Sequence, residues 1–425
     1  MKIFRFFNEH KYLIAYISIV LFELVVVNSQ SDLVVGVANW ENKAREIINL
    51  KIPKDNFYGP GSAIMLAPFI WNGPNYFTAI AFYTIVGFYF YYRIAEKIEN
   101  IRFRIIALIL PIFNVYLFWL FVSSQDTVFE FASFMAFIYF AIKGHWVKAL
   151  PAGILVAETR SAYWSVILLG IITLFMIARK QKVKFDKRAF LFFPSLFLIM
   201  MFNLVNYGSI SPALGGGMTA YFGFSKHHYL SLPKFDMDVF LSGPNGEFSK
   251  PQLQRELAKA NSANEVDQIY YEFARESAFN NPKETILGLL QKFESHLINI
   301  QKVPQLPGKY VFDYETNSIN IIEDRLNWNF VLGNLMYAMY RFTILFFGLI
   351  AIGITIGFNH THKSRLAIGK LGSVAIFWLF SLVPAILYYS ETRFKIIQEV
   401  SLIPLIVLIY SKLHEIRQKE SFPHH

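Results

Sequence analysis

The sequence has no cysteine. That excludes disulfides, iron–sulfur clusters, thiolate zinc sites and a cysteine nucleophile. Charge is scarce too. Charged residues make up 16% of the 425, against 54% hydrophobic and 17% aromatic, whereas a soluble domain carries about 25% charged residues. There is no Walker A motif and no GxGxxG, so no nucleotide site is indicated. No internal repeat is visible, which weighs against an inverted-repeat transporter. No small-residue cleavage site follows the basic start, and Glu23 lies within the first apolar run, so that run reads as an uncleaved span. His227-His228 lacks a third ligand at metal spacing.

What is present is apolar sequence in runs of roughly 17–25 residues, the length a helix needs to cross about 30 Å of hydrocarbon. The mean hydropathy is +0.37. The ~10-residue alternation of a membrane barrel is missing. The expected fold is therefore an all-α polytopic membrane protein with about ten transmembrane helices and an extracytoplasmic, mainly helical loop domain. The net charge of +10 reads as a topology signal beside the spans, not as a nucleic-acid site.

Basic residues set the orientation. Lys2, Arg5 and Lys11 precede the first span, about 12–27, and place the N-terminus in the cytoplasm. The loop 28–75 is then outside, and its Trp40–Leu50 stretch has apolar residues at helical spacing, as a short interfacial helix would. The second to fourth spans are expected near 76–92, 105–122 and 128–142, with Arg93–Arg104 and the Lys143–Lys148 stretch inside. Residues 149–157 and 161–177 read as two spans joined at Glu158-Thr159-Arg160, or as one long span burying that charged pair. Pro151 and Gly153 favour a broken or tilted first piece. Arg179–Arg188 is the most basic connector and is inside. A seventh span, 189–207, leads into the extramembrane region.

The expected organisation is an N-terminal transmembrane module at 1–207, an extracytoplasmic helical domain at 208–328, and a C-terminal transmembrane module at 329–425. Both termini are expected inside. Within the domain, 251–260, 264–280 and 282–300 read as helices, with Asn281-Pro282 as the break. The last of them carries Ile286, Leu289, Leu290, Phe293 and Leu297 on one face and is expected to lie against the membrane.

Charges at a membrane edge are costly and need a reason. Those on the outer side are Asp32, Asp126, Glu158, Arg160, Arg341, Glu391, Arg393 and Lys395. Acids supply a general base, and arginine forks hold phosphate oxygens. Each residue also has a structural alternative. Asp32 fits a helix-end solvating residue, and Asp126 fits a stabiliser of a helix N-terminus. Glu158 and Arg160 fit a pair with one another, and Arg393 and Lys395 fit snorkelling cations. Tyr58-Gly59-Pro60-Gly61 is a turn that closes the first loop. Glu23 is the one clear mid-span charge.

In this order the pieces resemble the GT-C superfamily of polytopic glycosyltransferases, in the bacterial branch similar to protein mannosyltransferases and aminoarabinose transferases. The pieces are Ser31-Asp32 after the first span, the Tyr-Gly-Pro-Gly turn, Gln125-Asp126, and the Glu158-Thr159-Arg160 corner. The Phe273–Phe293 segment with its Asn-Pro and Leu-x-x-Lys-Phe elements, and Glu391–Phe394, complete the set. The resemblance implies a polyprenyl-phosphate sugar donor and a glycan, lipid or protein acceptor, in the bacterial inner membrane. It implies Asp32 as base, Asp126 as an auxiliary acid, and Arg160, Lys292, Arg341, Arg393 and Lys395 as phosphate contacts. Glu158, Glu391 and Tyr58 would support the acceptor side. The single acid at the first-loop motif, where the family has a pair, does not indicate a divalent metal, and no other cofactor is expected. The rival readings are an O-antigen polymerase or ligase, and a transporter or flippase of lipid-linked sugars.

Overall fold

A computed structural model describes residues 2–30, 40–54, 56–57, 59–73, 75–123, 126–180, 184–224, 250–297, 308–313, 318–324 and 399–408, with isolated positions between 342 and 411. Asp32, Tyr58, His227, His228, Arg341, Glu391, Arg393 and Lys395 lie outside the described residues.

The described chain is mostly helical. In order the helices are α1 (Lys2–Gln30), α2 (Glu41–Ile48), α3 (Gly61–Ile70), α4 (Tyr76–Ala95), α5 (Ile101–Ile109), α6 (Val115–Ser123), α7 (Thr127–Ile142), α8 (Trp146–Thr159), α9 (Ala162–Lys180) and α10 (Phe192–Tyr207). A 3₁₀ turn, Lys187–Leu191, leads into α10. Then follow α11 (Gly216–Phe224), α12 (Pro251–Leu257), α13 (Ala263–Asn280) and α14 (Pro282–Leu297). Three segments among the described residues are long and apolar enough to cross a membrane: His10–Ser29, Ala162–Arg179 and Lys187–Tyr207. Thr127–Ile142 and Glu399–Leu408 are shorter apolar helices.

α7 is buried on nearly every side and is the centre of the bundle. A helix that is apolar all round belongs inside other protein. Aromatic rings fill the space between it and its neighbours. Phe88 of α4 stacks on Phe118 of α6 at 5.6 Å and meets Phe131 of α7 at 5.0 Å. Gly87 lets α4 approach that closely, because a Cβ there would fall 2.4 Å from the Phe131 ring.

Two expectations about the spans change. The run 105–122 is not one helix but α5 and α6, separated by Leu110-Pro111-Ile112-Phe113-Asn114. Pro111 has no N–H to donate and clashes with the preceding turn, and Asn114 then caps α6 by accepting from the Leu117 N–H at 3.2 Å. Conversely, Pro151 does not break α8, which runs through it. Gly153 serves packing rather than bending: a Cβ there would meet the Phe192 ring at 2.5 Å.

After α7 the chain does form two helices, α8 and α9, which meet at Arg160-Ser161. Beyond α10, Gly208 ends the helix in the left-handed region at φ +71. The Gly215-Gly216-Gly217 turn that starts α11 wraps the buried Asp267 of α13. The Gly215 and Gly217 N–H groups donate to its carboxylate at 3.0 and 2.8 Å, which satisfies orphan donors of a helix N-terminus. The helix break at Asn281-Pro282 falls where the sequence suggests. A two-stranded antiparallel hairpin, β1 (Gly308–Asp313) and β2 (Ser318–Asp324), was not anticipated by the all-helical reading.

Candidate functional site

The charged corner at the end of α8 organises the site. Arg160 leaves the helix in an extended conformation, so its side chain turns back across α7. Its Nη2 donates to Asp126 Oδ1 at 3.0 Å, and its Nε binds the Glu130 carboxylate. The Tyr163 hydroxyl donates to the other Glu130 oxygen at 2.5 Å. Asp126 and Glu130 are one helical turn apart, so both acids lie on the same face of α7. Glu130 is fully enclosed, while Arg160 and Asp126 are 14% and 15% exposed. The cluster is therefore rooted in the core and opens at its Asp126 edge.

One structural alternative from the sequence does not hold, and another is only part of the account. Asp126 does stand at the N-terminus of α7, where its charge suits the helix dipole, but its side chain makes no capping hydrogen bond there and its carboxylate binds Arg160. Glu158 does not pair with Arg160. It accepts from Trp164 Nε1 at 3.0 Å on the other side of the corner.

The closing turn of the first loop sits on this corner. A Cβ on Gly59 would fall 2.3 Å from the Glu158 carbonyl oxygen, and one on Gly61 would fall 2.5 Å from the Glu158–Thr159 peptide. Gly59 also has φ +81. Glycine is required here by both backbone conformation and backbone approach. Further polar ties hold the loop. Lys43 of α2 donates to the Phe57 carbonyl at 2.8 Å. The Asn56 side-chain amide donates to Asn203 of α10 at 2.9 Å. Residues 57 and 214 form an isolated parallel β-bridge, in which the Leu214 N–H donates to the Asn56 carbonyl at 3.0 Å.

Lys292 belongs elsewhere. It is fully buried on α14, donates to the Gly223 carbonyl of α11 at 2.9 Å and lies over the Phe224 ring. Burial pushes its ammonium down to about 7. The structure thus unites Asp126, Glu158 and Arg160 of the sequence candidates, and places Lys292 in the α11–α14 packing. Asp32, Tyr58, Arg341, Glu391, Arg393 and Lys395 are outside the described residues.

Comparison with family models, curated proteins and solved structures finds no match.

The residue that sequence reasoning missed is Glu130, together with its partner Tyr163. Its signal was present: an acid inside an apolar run, four residues after Asp126, with no polar neighbour to explain it. Glu130 sits in the first turn of α7, at a span end and not mid-span like Glu23, and Glu399 is a further acid buried in an apolar helix. Chemically, one guanidinium between two carboxylates is more than neutralised. Arg160 therefore orients Asp126 rather than presenting a spare positive charge. No group of three or more His, Cys, Asp or Glu converges as a metal site among the described residues.

Proposed function

We propose that this protein is a membrane glycosyltransferase. It moves a sugar from a polyprenyl-phosphate donor to a hydroxyl of a glycan, lipid or protein on the outer face of the membrane. The observation that carries the reading is the seating of the first-loop turn, Gly59–Gly61, on the Glu158–Arg160 corner beside Asp126. A loop that opens with one acid and closes against another supports a two-carboxylate site at one end of the bundle.

In this mechanism Asp32 takes the proton of the acceptor hydroxyl. The acceptor oxygen attacks the anomeric carbon, the bond to the lipid phosphate breaks, and the phosphate leaves with the electron pair. Configuration inverts. Asp126, held by Arg160, binds and orients acceptor hydroxyls. The phosphate is held by Arg341, Arg393 and Lys395. Positioning and charge stabilisation supply the rate. The reading retains about ten spans with both termini cytoplasmic. Arg160 changes role within it, from phosphate contact to positioning residue, because two carboxylates already occupy it.

Glu130 adds nothing to the transport alternative. It lies in the first turn of α7, paired with Arg160, rather than along a path through the middle of a span. The test is incubation of the purified protein in lipid nanodiscs with a panel of labelled polyprenyl-phosphate sugars and membrane acceptors. Transfer that is lost in Asp32→Asn and reduced in Asp126→Asn is expected. Transfer intact in Asp32→Asn refutes the role of that acid and favours the polymerase or ligase mechanism. Flux across proteoliposomes without covalent product refutes the enzyme.

A further inference from the structure

The turn after α2 holds its apolar side chains outward at a cost to the backbone. Leu50 has φ +56, the one positive φ among described residues other than glycine. A branched side chain in the left-handed region is strained, and glycine or asparagine is usual at this position after a helix. Leu50 nevertheless keeps 95% of its surface exposed, and Ile52 is 51% exposed. Within the chain, Leu50 therefore has little contact to offset the strain.

The position of this turn identifies what it meets. Tyr207, the last residue of the Lys187–Tyr207 membrane segment, donates its hydroxyl to the Pro53 carbonyl at 2.9 Å. The turn is thus fastened to the end of a membrane-length helix. The other end of α2 is fastened similarly: the Tyr76 hydroxyl, at the start of α4, binds the Glu41 carboxylate. The segment from Glu41 to Pro53 is thus tied at both ends to the ends of apolar helices. Val205, two residues before Tyr207, is 83% exposed, and Trp71 at the end of α3 is 70% exposed. Exposed apolar side chains of α10 therefore stand within two residues of the tie that holds the turn. Lys51 and Lys54 flank Ile52 and are exposed.

We propose that Leu50 and Ile52 form a lipid-inserting anchor that holds the first loop at the membrane surface. Leu50 and Ile52 enter the acyl boundary, and Lys51 and Lys54 meet the phosphates of anionic lipids. Apolar side chains beside lysines at an interface bind by just this combination of burial and charge. Trp71 sits at the headgroup level, where aromatic rings concentrate. The anchor is independent of the reaction the protein performs.

The chain has no cysteine, so single-cysteine labelling is clean. Leu50→Cys is labelled with a polarity-sensitive fluorophore in nanodiscs containing phosphatidylglycerol. Val205→Cys serves as the lipid-facing reference and Lys259→Cys as the aqueous one. The label at 50 should emit to the blue of the label at 259. It should be quenched by nitroxide lipids as at 205, and lose most of its quenching by aqueous iodide. Charge reversal at both Lys51 and Lys54 should reduce the quenching of the label at 50 by nitroxide lipids. Iodide quenching at 50 equal to that at 259 overturns the proposal. Protection from iodide without quenching by nitroxide lipids also overturns it, because a protein surface then covers the turn.

Discussion

Replacing Arg160 by methionine removes the only described cation of a buried cluster and leaves its two acids behind. Glu130 is fully enclosed, and its carboxylate still accepts the Tyr163 hydrogen bond. Breaking a buried ion pair by deleting one partner costs about 3–5 kcal/mol, because the remaining charge is uncompensated. The slight exposure of Arg160 and Asp126 puts the expected loss at the lower end, about 3 kcal/mol. At roughly 2–4 °C per kcal/mol for a cooperative unit of about 200 residues, the midpoint falls by about 6–12 °C. The assay is thermal unfolding in detergent, followed by size-exclusion chromatography of the remaining monodisperse protein. The decisive comparison is the double variant Arg160→Met with Glu130→Gln. Removing the buried charge together with its partner should restore stability to within about 1–2 kcal/mol of the parent. Two results refute the reasoning: Arg160→Met as stable as the parent, or a double variant whose loss equals the sum of the two single losses.

Gly61→Ala should cost about 1–3 kcal/mol by overpacking the Glu158–Thr159 backbone, and the proposed sugar transfer should fall with it; an unchanged melting curve would show that the turn does not seat there. Lys292→Met should stabilise the protein at pH 6 and change little near pH 10. An amine lowered to about 7 by burial carries its full cost below pH 7, where it is charged in both states, and the cost disappears as pH rises towards the ordinary value of 10.5. The full span is on the order of 5 kcal/mol at most. A difference between variant and parent that does not vary with pH would refute the assignment, and loss of transfer in a stable Lys292→Met would restore Lys292 to the donor site.

Local features of the fold were readable where local chemistry decides them. Pro282 opens α14 because a proline at the first helical position loses no hydrogen bond. The α8–α9 corner was visible as Glu-Thr-Arg between two apolar runs. Pro111 could have been read the same way, but the length of the apolar run concealed it. The partners of the charges were not readable. Asp126 has the residue type and position of a helix cap, yet an arginine 34 residues away outcompetes the local N–H groups. Glu130 and Tyr163 are 33 residues apart, and no spacing rule links positions on different helices. The β1–β2 hairpin follows α14 and has no strong turn signal at 314–317 to mark it.

The bond between Asn56 and Asn203 spans 147 residues, and that between Pro53 and Tyr207 spans 154. The first loop therefore cannot take its final shape when it leaves the ribosome. It must wait until α10 has been made and inserted, since contacts this distant in sequence form late and carry the closure entropy of the chain between them. The turn at Gly59–Gly61 needs only α8 to reach its seat on Glu158, so completion of α10 adds the last ties to a loop already placed, and a nascent chain stalled before Asn203 would lack them.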